Sequence, residues 1–214
     1  MYGVYLLVRR LALEGDGRAR AHANAARVVG LERRLGLDVE PRLQRAVLPY
    51  RRVVEALNLG YATLNVGATM WWLHRLFRRR DPRYHTYRTA AVTAFLGAQP
   101  VFLLYPVAPP RTLDHLVDTL AEVSGVDIDS GLISRLYHPL AAMPSIHVTI
   151  AVVTAACVGN TARRRWVRKV APAYPPVVAA IVLLTANHYV LDAVAGGALG
   201  SASLRIARWL EPEP

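Results

Sequence analysis

Apolar residues in this chain are grouped into long blocks separated by short polar or basic stretches. A helix needs about 20 mostly apolar residues to cross the hydrocarbon core of a bilayer. Five blocks approach or reach that length, and a short apolar start at residues 2–8 is a weaker sixth element. The pattern therefore predicts an all-α, polytopic bundle of about five to six membrane spans, with blocks at residues 53–73, 89–105, 142–158, 170–186 and 189–206.

The stretch from residue 16 to residue 48 has a different pattern, rich in alanine and arginine. Its larger apolar residues recur at helical spacing, and Gly36 and Pro41 divide them into two pieces. These pieces are typical of amphipathic helices that lie on the membrane surface or pack on the bundle. We therefore predict a surface segment at residues 1–50 and a membrane domain at residues 51–210.

Composition agrees with a membrane protein that has basic loops. Hydrophobic residues make up 53% of the chain, yet its formal charge is +11. Nucleic-acid binding is a poor explanation of that charge, because the arginines flank apolar blocks and do not form one basic face. A single cysteine, Cys157, excludes an intrachain disulfide framework.

Loop charge predicts the orientation of the bundle. Segments 75–88 and 163–169 are strongly basic, whereas segment 112–141 holds several acids and only one arginine, Arg135. The positive-inside rule places the two basic segments in the cytoplasm and the acidic one outside. The arginines of residues 1–52 then lie outside as well, so either a first span precedes this start or these helices bind anionic headgroups.

Two short motifs at the edges of apolar blocks carry the candidate chemistry. Pro144-Ser145-Ile146-His147 opens the third block, and His188 precedes Asp192 by four residues at the start of the fifth. In a helix, that spacing lets the carboxylate bind one ring nitrogen and leaves the other free to attack phosphorus. Ser145 could offer its hydroxyl and nearby N–H groups to a phosphate. The motifs point to phosphoryl transfer.

Two alternatives stay open at this point. His147, His188 and Asp192 could instead be zinc ligands, although the Pro-Ser element would then have no role. The bundle could also be a non-catalytic scaffold or lipid transporter. An aspartate within a span is costly and usually functional, which favours an active site.

The motifs resemble the type 2 phosphatidic acid phosphatase superfamily, in particular its inositol phosphorylceramide synthase-like branch. The resemblance covers about residues 50–205. It implies a six-span bundle with an outward-facing site that needs no metal or cofactor, in which His188 becomes phosphorylated, Asp192 orients it and His147 protonates the leaving group. The matching segments are Tyr105-Pro-Val-Ala-Pro-Pro-Arg111, Ala142-Met-Pro-Ser-Ile-His147-Val and Asn187-His-Tyr-Val-Leu-Asp192-Ala-Val-Ala-Gly196.

The chain departs from the wider superfamily at two positions. Val182 stands where the superfamily has an arginine six residues before the later histidine, and Ile146 replaces a glycine. Phosphate neutralisation must then come from other residues. We expect Arg111 first and Arg88 as a weaker candidate, with Ser145 and Tyr105 also at the substrate.

These expectations combine into one function. We predict an integral membrane lipid-phosphate phosphatase or phosphotransferase in a bacterial plasma membrane, with its site facing outside. Its partners are the membrane and a lipid phosphate, and it binds no nucleic acid. If water is the acceptor the enzyme is a phosphatase, and if a polyol such as inositol is the acceptor it is a transferase. The resemblance to the branch slightly favours a transferase.

Overall fold

The structure, a computed structural model, describes residues 2–126 and 139–211. All regular elements in those two ranges are helical. Short 3-10 turns lie at Pro110–Thr112 and Ala171–Ala173. The α-helices are α1 (Tyr2–Leu13), α2 (Gly17–Leu35), α3 (Glu40–Val47), α4 (Arg51–Arg78), α5 (Tyr84–Leu104), α6 (Thr119–Glu122), α7 (Ile146–Thr161), α8 (Arg165–Val170), α9 (Tyr174–Leu184) and α10 (Val190–Leu210).

The predicted division of the N-terminal segment is confirmed. Gly36 ends α2 in the left-handed conformation, with φ of 70°, which glycine adopts without a steric penalty. Pro41 lies in the first turn of α3, where its missing N–H costs no helical hydrogen bond. The two pieces are therefore separate helices.

The five predicted apolar blocks coincide with α4, α5, α7, the α8–α9 pair and α10, which run in alternating directions. Small residues let these helices approach closely: Ala90 and Ala94 of α5 are fully buried beside Ala207 of α10. Nearer the start of α10, Gly196 and Gly200 lie against α7. Their lack of side chains permits this close contact between the two helices.

Helix contact at Gly196 gives a stability prediction. A Cβ at Gly196 would lie 2.5 Å from the Ser145 carbonyl oxygen, whereas one at Gly197 would meet nothing within 4 Å. We expect Gly196→Ala to lower the free energy of unfolding by about 1–3 kcal/mol, because α7 and α10 must separate. The control Gly197→Ala should be neutral or slightly stabilising. Thermal unfolding in detergent measures both, and equal midpoints for the two variants would contradict the packing.

Two stretches in the described ranges are long and apolar enough to cross a membrane: Arg165–Leu184 and Val190–Leu210. Helix α7 is apolar but shorter. Length and composition thus identify fewer spans than the five or six predicted, although each predicted block is a helix.

The bundle has two chemically distinct ends. Arg83 donates to the Asn160 carbonyl, and Arg168 donates to the Gly159 carbonyl, so segments 75–88 and 163–169 lie together. We call this the basic end. His147 and His188 begin or precede helices at the opposite end, which we call the site end. Arg135 falls outside the described residues.

Helices α1 and α2 pack on the bundle. Val8 of α1 lies in an apolar cluster with Ala98 and Phe102 of α5. At the site end, Ala21, Ala25 and Val28 of α2 form a buried cluster with residues from the segments that precede α7 and α10. Its other buried members are Val107, Ala108, Leu140, Ala142 and Tyr189.

Candidate active site

His188 lies in a sharp turn between α9 and α10. The N–H groups of Asn187 and His188 both donate to the Val182 carbonyl, and Ala186 adopts a left-handed φ of 52°. A non-glycine residue in that region carries backbone strain, which the surrounding hydrogen bonds must hold in place. The turn buries the His188 ring at the site end of the bundle.

Hydrogen bonding fixes the tautomer of His188. Its Nδ1 lies 2.8 Å from the Ala142 carbonyl oxygen, which can only accept. Nδ1 therefore carries the proton, and Nε2 keeps the lone pair that a nucleophile needs. Asp192 Oδ2 lies 3.4 Å from the same Nδ1, so a carboxylate also faces the proton.

Asp192 reaches His188 by a different route from the one predicted. The i, i+4 pair forms at 3.4 Å, but not within one helix, because α10 begins only at Val190, after His188. Tyr189 is extended, and its N–H donates to Asp192 Oδ2 at 2.9 Å. Asp192 thus caps the start of its own helix and turns the same oxygen toward the imidazole.

His147 lies in the first turn of α7 and completes the pair of histidines. Its ring centroid is 5.6 Å from that of His188, and the two rings meet edge to face. On another side, the His147 ring stacks on Tyr61 of α4 at 4.4 Å. The two imidazole rings are therefore direct neighbours at the site end of the bundle.

Ser145 has a structural role in this arrangement. It is fully buried, and its hydroxyl accepts from the Val148 N–H as the N-cap of α7. Its own N–H donates to the Asp192 carbonyl at 3.0 Å, which links α7 to α10 directly behind the histidines. Because the hydroxyl oxygen accepts the N-cap bond, Ser145 would interact with a ligand by donating its hydroxyl proton.

Arg111 is brought to the site. Its N–H donates to the Ala186 carbonyl at 2.7 Å, so it adjoins the turn that carries His188. Its guanidinium is buried and forms an ion pair with Asp118 at 2.7 Å. Asp118 in turn caps α6. A buried arginine near the His188 turn is of the type that can neutralise a phosphate.

The two other predicted binding residues are placed differently. Tyr105 follows α5 at the site end and packs against the cluster that includes Ala142 and Tyr189. Arg88 is exposed in the second turn of α5, with its guanidinium over the Tyr84 ring. That turn lies at the basic end, so the structure does not bring Arg88 together with the histidines.

Both departures from the superfamily pattern lie in apolar surroundings, Val182 fully buried and Ile146 half-buried. Val182 packs with Val148 and Val178, and Ile146 packs near Val8 and Phe102. Neither side chain can offer a polar group to a phosphate. As for the zinc alternative, residues 2–126 and 139–211 contain no group of three or more His, Cys, Asp or Glu side chains arranged to hold a metal ion.

Sequence reasoning missed several residues of this site. The Ala142 carbonyl, Tyr61 and Asp118 carry no recognisable pattern. Glu32 could have been noticed, because it interrupts the apolar stripe that runs through Ala25 and Val28. Glu32 and Glu40 are both buried, and each accepts a backbone N–H at the start of α10.

Comparison of the sequence with known proteins identifies its superfamily. The sequence model described as the PAP2 superfamily matches residues 26–206 of the chain. No curated protein and no protein of solved structure matches it significantly.

Proposed function

We propose that this chain, which belongs to the PAP2 superfamily, is an integral membrane lipid-phosphate phosphatase or phosphotransferase that works through a phosphohistidine. Membership supports an enzyme, because the superfamily generally comprises phosphatases. The observation that carries the mechanism is the pairing of His188 Nδ1 with the Ala142 carbonyl, which leaves Nε2 available for attack.

The proposed reaction has two steps, formation and breakdown of the phosphohistidine. His188 Nε2 attacks phosphorus and forms a P–N bond, the P–O bond to the lipid breaks, and His147 gives its proton to the departing alkoxide. His147 then takes a proton from water or an acceptor alcohol, whose oxygen attacks phosphorus and breaks the P–N bond. Asp192 stabilises the positive charge that His188 carries in between.

Arg111 supplies charge neutralisation in this proposal. A phosphate monoester is negatively charged, and its transfer needs cations around the equatorial oxygens. Arg111 adjoins the His188 turn, and Asp118 holds its guanidinium. Arg88 lies at the basic end and is too remote to take part, whereas Tyr105 and Ser145 lie at the site end.

The membrane placement is part of the proposal. Besides the two stretches of sufficient length, α4 and α5 expose large apolar side chains over much of their length, which suits contact with lipid. The basic end then lies in the cytoplasm and the site end outside. The exposed side chains include Leu59, Met70, Trp71, Phe77, Leu96 and Leu104.

Turnover of a panel of lipid phosphates by the purified protein tests the function. We expect phosphate release that persists in EDTA and is inhibited by vanadate, which mimics five-coordinate phosphorus. New phosphodiester in the presence of inositol would identify a transferase and support the inositol-type branch. Inhibition by EDTA would favour a zinc hydrolase, and no turnover of any lipid would favour a scaffold or transporter.

A further inference from the structure

The N-terminal helices place two buried carboxyl groups at the first turn of α10. Glu40 Oε1 accepts from the Val190 N–H at 3.0 Å, and Glu32 Oε1 accepts from the Leu191 N–H at 2.7 Å. The preceding N–H, that of Tyr189, is taken by Asp192. Three carboxyl groups thus hold three successive N–H groups directly after His188.

This arrangement fixes the helix that carries Asp192. The first N–H groups of a helix have no partner within it, and here side chains from α2 and α3 satisfy them. Both glutamates are almost completely inaccessible to solvent. Within the described ranges neither forms an ion pair, so no cation offsets their charge.

The two carboxyl groups are neighbours, because the N–H groups that they accept belong to the adjacent residues Val190 and Leu191. The second oxygen of Glu32, Oε2, is buried without a hydrogen-bond partner. Two buried carboxylates can only accept hydrogen bonds and repel each other, so their proximity is favourable only when one of them carries a proton. The other titratable groups around the pair are acidic or phenolic: Asp38 before α3, and Tyr189 and Asp192 of α10. His188 lies beyond Asp192.

We infer that Glu32 and Glu40 are positioning residues that share one proton and hold Asp192 against His188. The inference deepens the proposed function and rests on it for the catalytic consequence. With the proton in place, the pair carries one negative charge and caps α10. Loss of the proton puts a second charge beside Asp192, forces the carboxylates apart and loosens the turn that orients His188.

The pH range follows from the surroundings of the pair. Burial raises the pKa of Glu32 to about 8, and the charges of Glu40 and Asp192 act in the same direction. Burial likewise raises the pKa of Glu40. A carboxyl group with a raised pKa contributes stability that is complete below its unfolded pKa of 4.5. That stability is lost as the pH rises toward about 8.

Glu32→Gln is the informative variant, because its amide keeps an acceptor for Leu191 and a donor for Glu40, as protonated Glu32 does. We expect its kcat at pH 6.5 to stay within about twofold of wild type. At pH 9 the wild type should lose about tenfold in kcat, and the variant should not. Its unfolding temperature should also depend less on pH between 5 and 8.5. Glu32→Ala should lower kcat at every pH with little change in KM.

Glu55→Gln is the matched control, because Glu55 is an exposed glutamate paired with Arg51. The inference is overturned if the Glu32→Gln curves of kcat and of unfolding temperature against pH superimpose on those of Glu55→Gln. The two readouts separate the possible failures. If no lipid phosphate is turned over, the proposed function fails, while the unfolding curves still decide whether the pair shares a proton.

Discussion

We expect replacement of His188 by asparagine to abolish turnover of lipid phosphates. The asparagine amide can still donate to the Ala142 carbonyl, which now receives the His188 Nδ1 proton at 2.8 Å. The turn should therefore keep its shape while the nucleophile is lost. Removal of a nucleophile lowers kcat by about 10⁵- to 10⁶-fold, and phosphate release over long incubations measures that loss.

The control for His188 is His85→Ala. His85 is an exposed histidine on α5 at the basic end, far from the proposed site. Its replacement should leave kcat and KM unchanged. Residual activity of the His188→Asn variant above about one part in a thousand would show that another group attacks phosphorus.

Replacement of Asp192 by asparagine gives the second large effect. The amide oxygen can still accept from the Tyr189 N–H, so the start of α10 is retained. The charge that offsets the imidazolium is lost, and we expect kcat to fall by about 10³- to 10⁴-fold with little change in KM, as for other orienting aspartates. Steady-state kinetics in detergent measures both constants.

Asp114→Asn is the control for Asp192, because Asp114 is exposed in the segment after Arg111. It should behave as wild type. A loss below about tenfold in Asp192→Asn would mean that the Ala142 carbonyl alone orients His188, and the role assigned to the aspartate would be wrong.

The helices were predictable because long apolar blocks and helix-ending residues are local signals. Gly36 and Pro41 mark the ends of α2 and α3 for reasons that involve only their own backbone. Hydropathy also located α10, but not its first residue. The N–H groups at the start of α10 are accepted by Glu32 and Glu40, which are distant in sequence. His188 therefore lies before the helix, although its predicted pairing with Asp192 forms at 3.4 Å.

The candidate site was predictable where chemistry is concentrated in short motifs. The structure brings His147, His188 and Asp192 together from two such motifs, and the Arg111 backbone adjoins them. Their catalytic roles stay predictions. Loop charge places segment 75–88, which includes Arg88, at the cytoplasmic end. In the structure Arg88 lies in the second turn of α5 at the basic end, away from the histidines. Tyr61 and the Ala142 carbonyl depend on helix packing, which the sequence does not display locally.

Trapping the phosphorylated histidine tests the central claim most directly. The His147→Ala variant should be mixed with para-nitrophenyl phosphate, whose leaving group needs no proton, and quenched in alkali. Because His147 also activates water, the intermediate should accumulate: we predict a stoichiometric burst of nitrophenolate and an acid-labile phosphate on residue 188, absent from the His147→Ala, His188→Asn double variant. Turnover without phosphorylated protein, or phosphate on a residue other than His188, would contradict the mechanism.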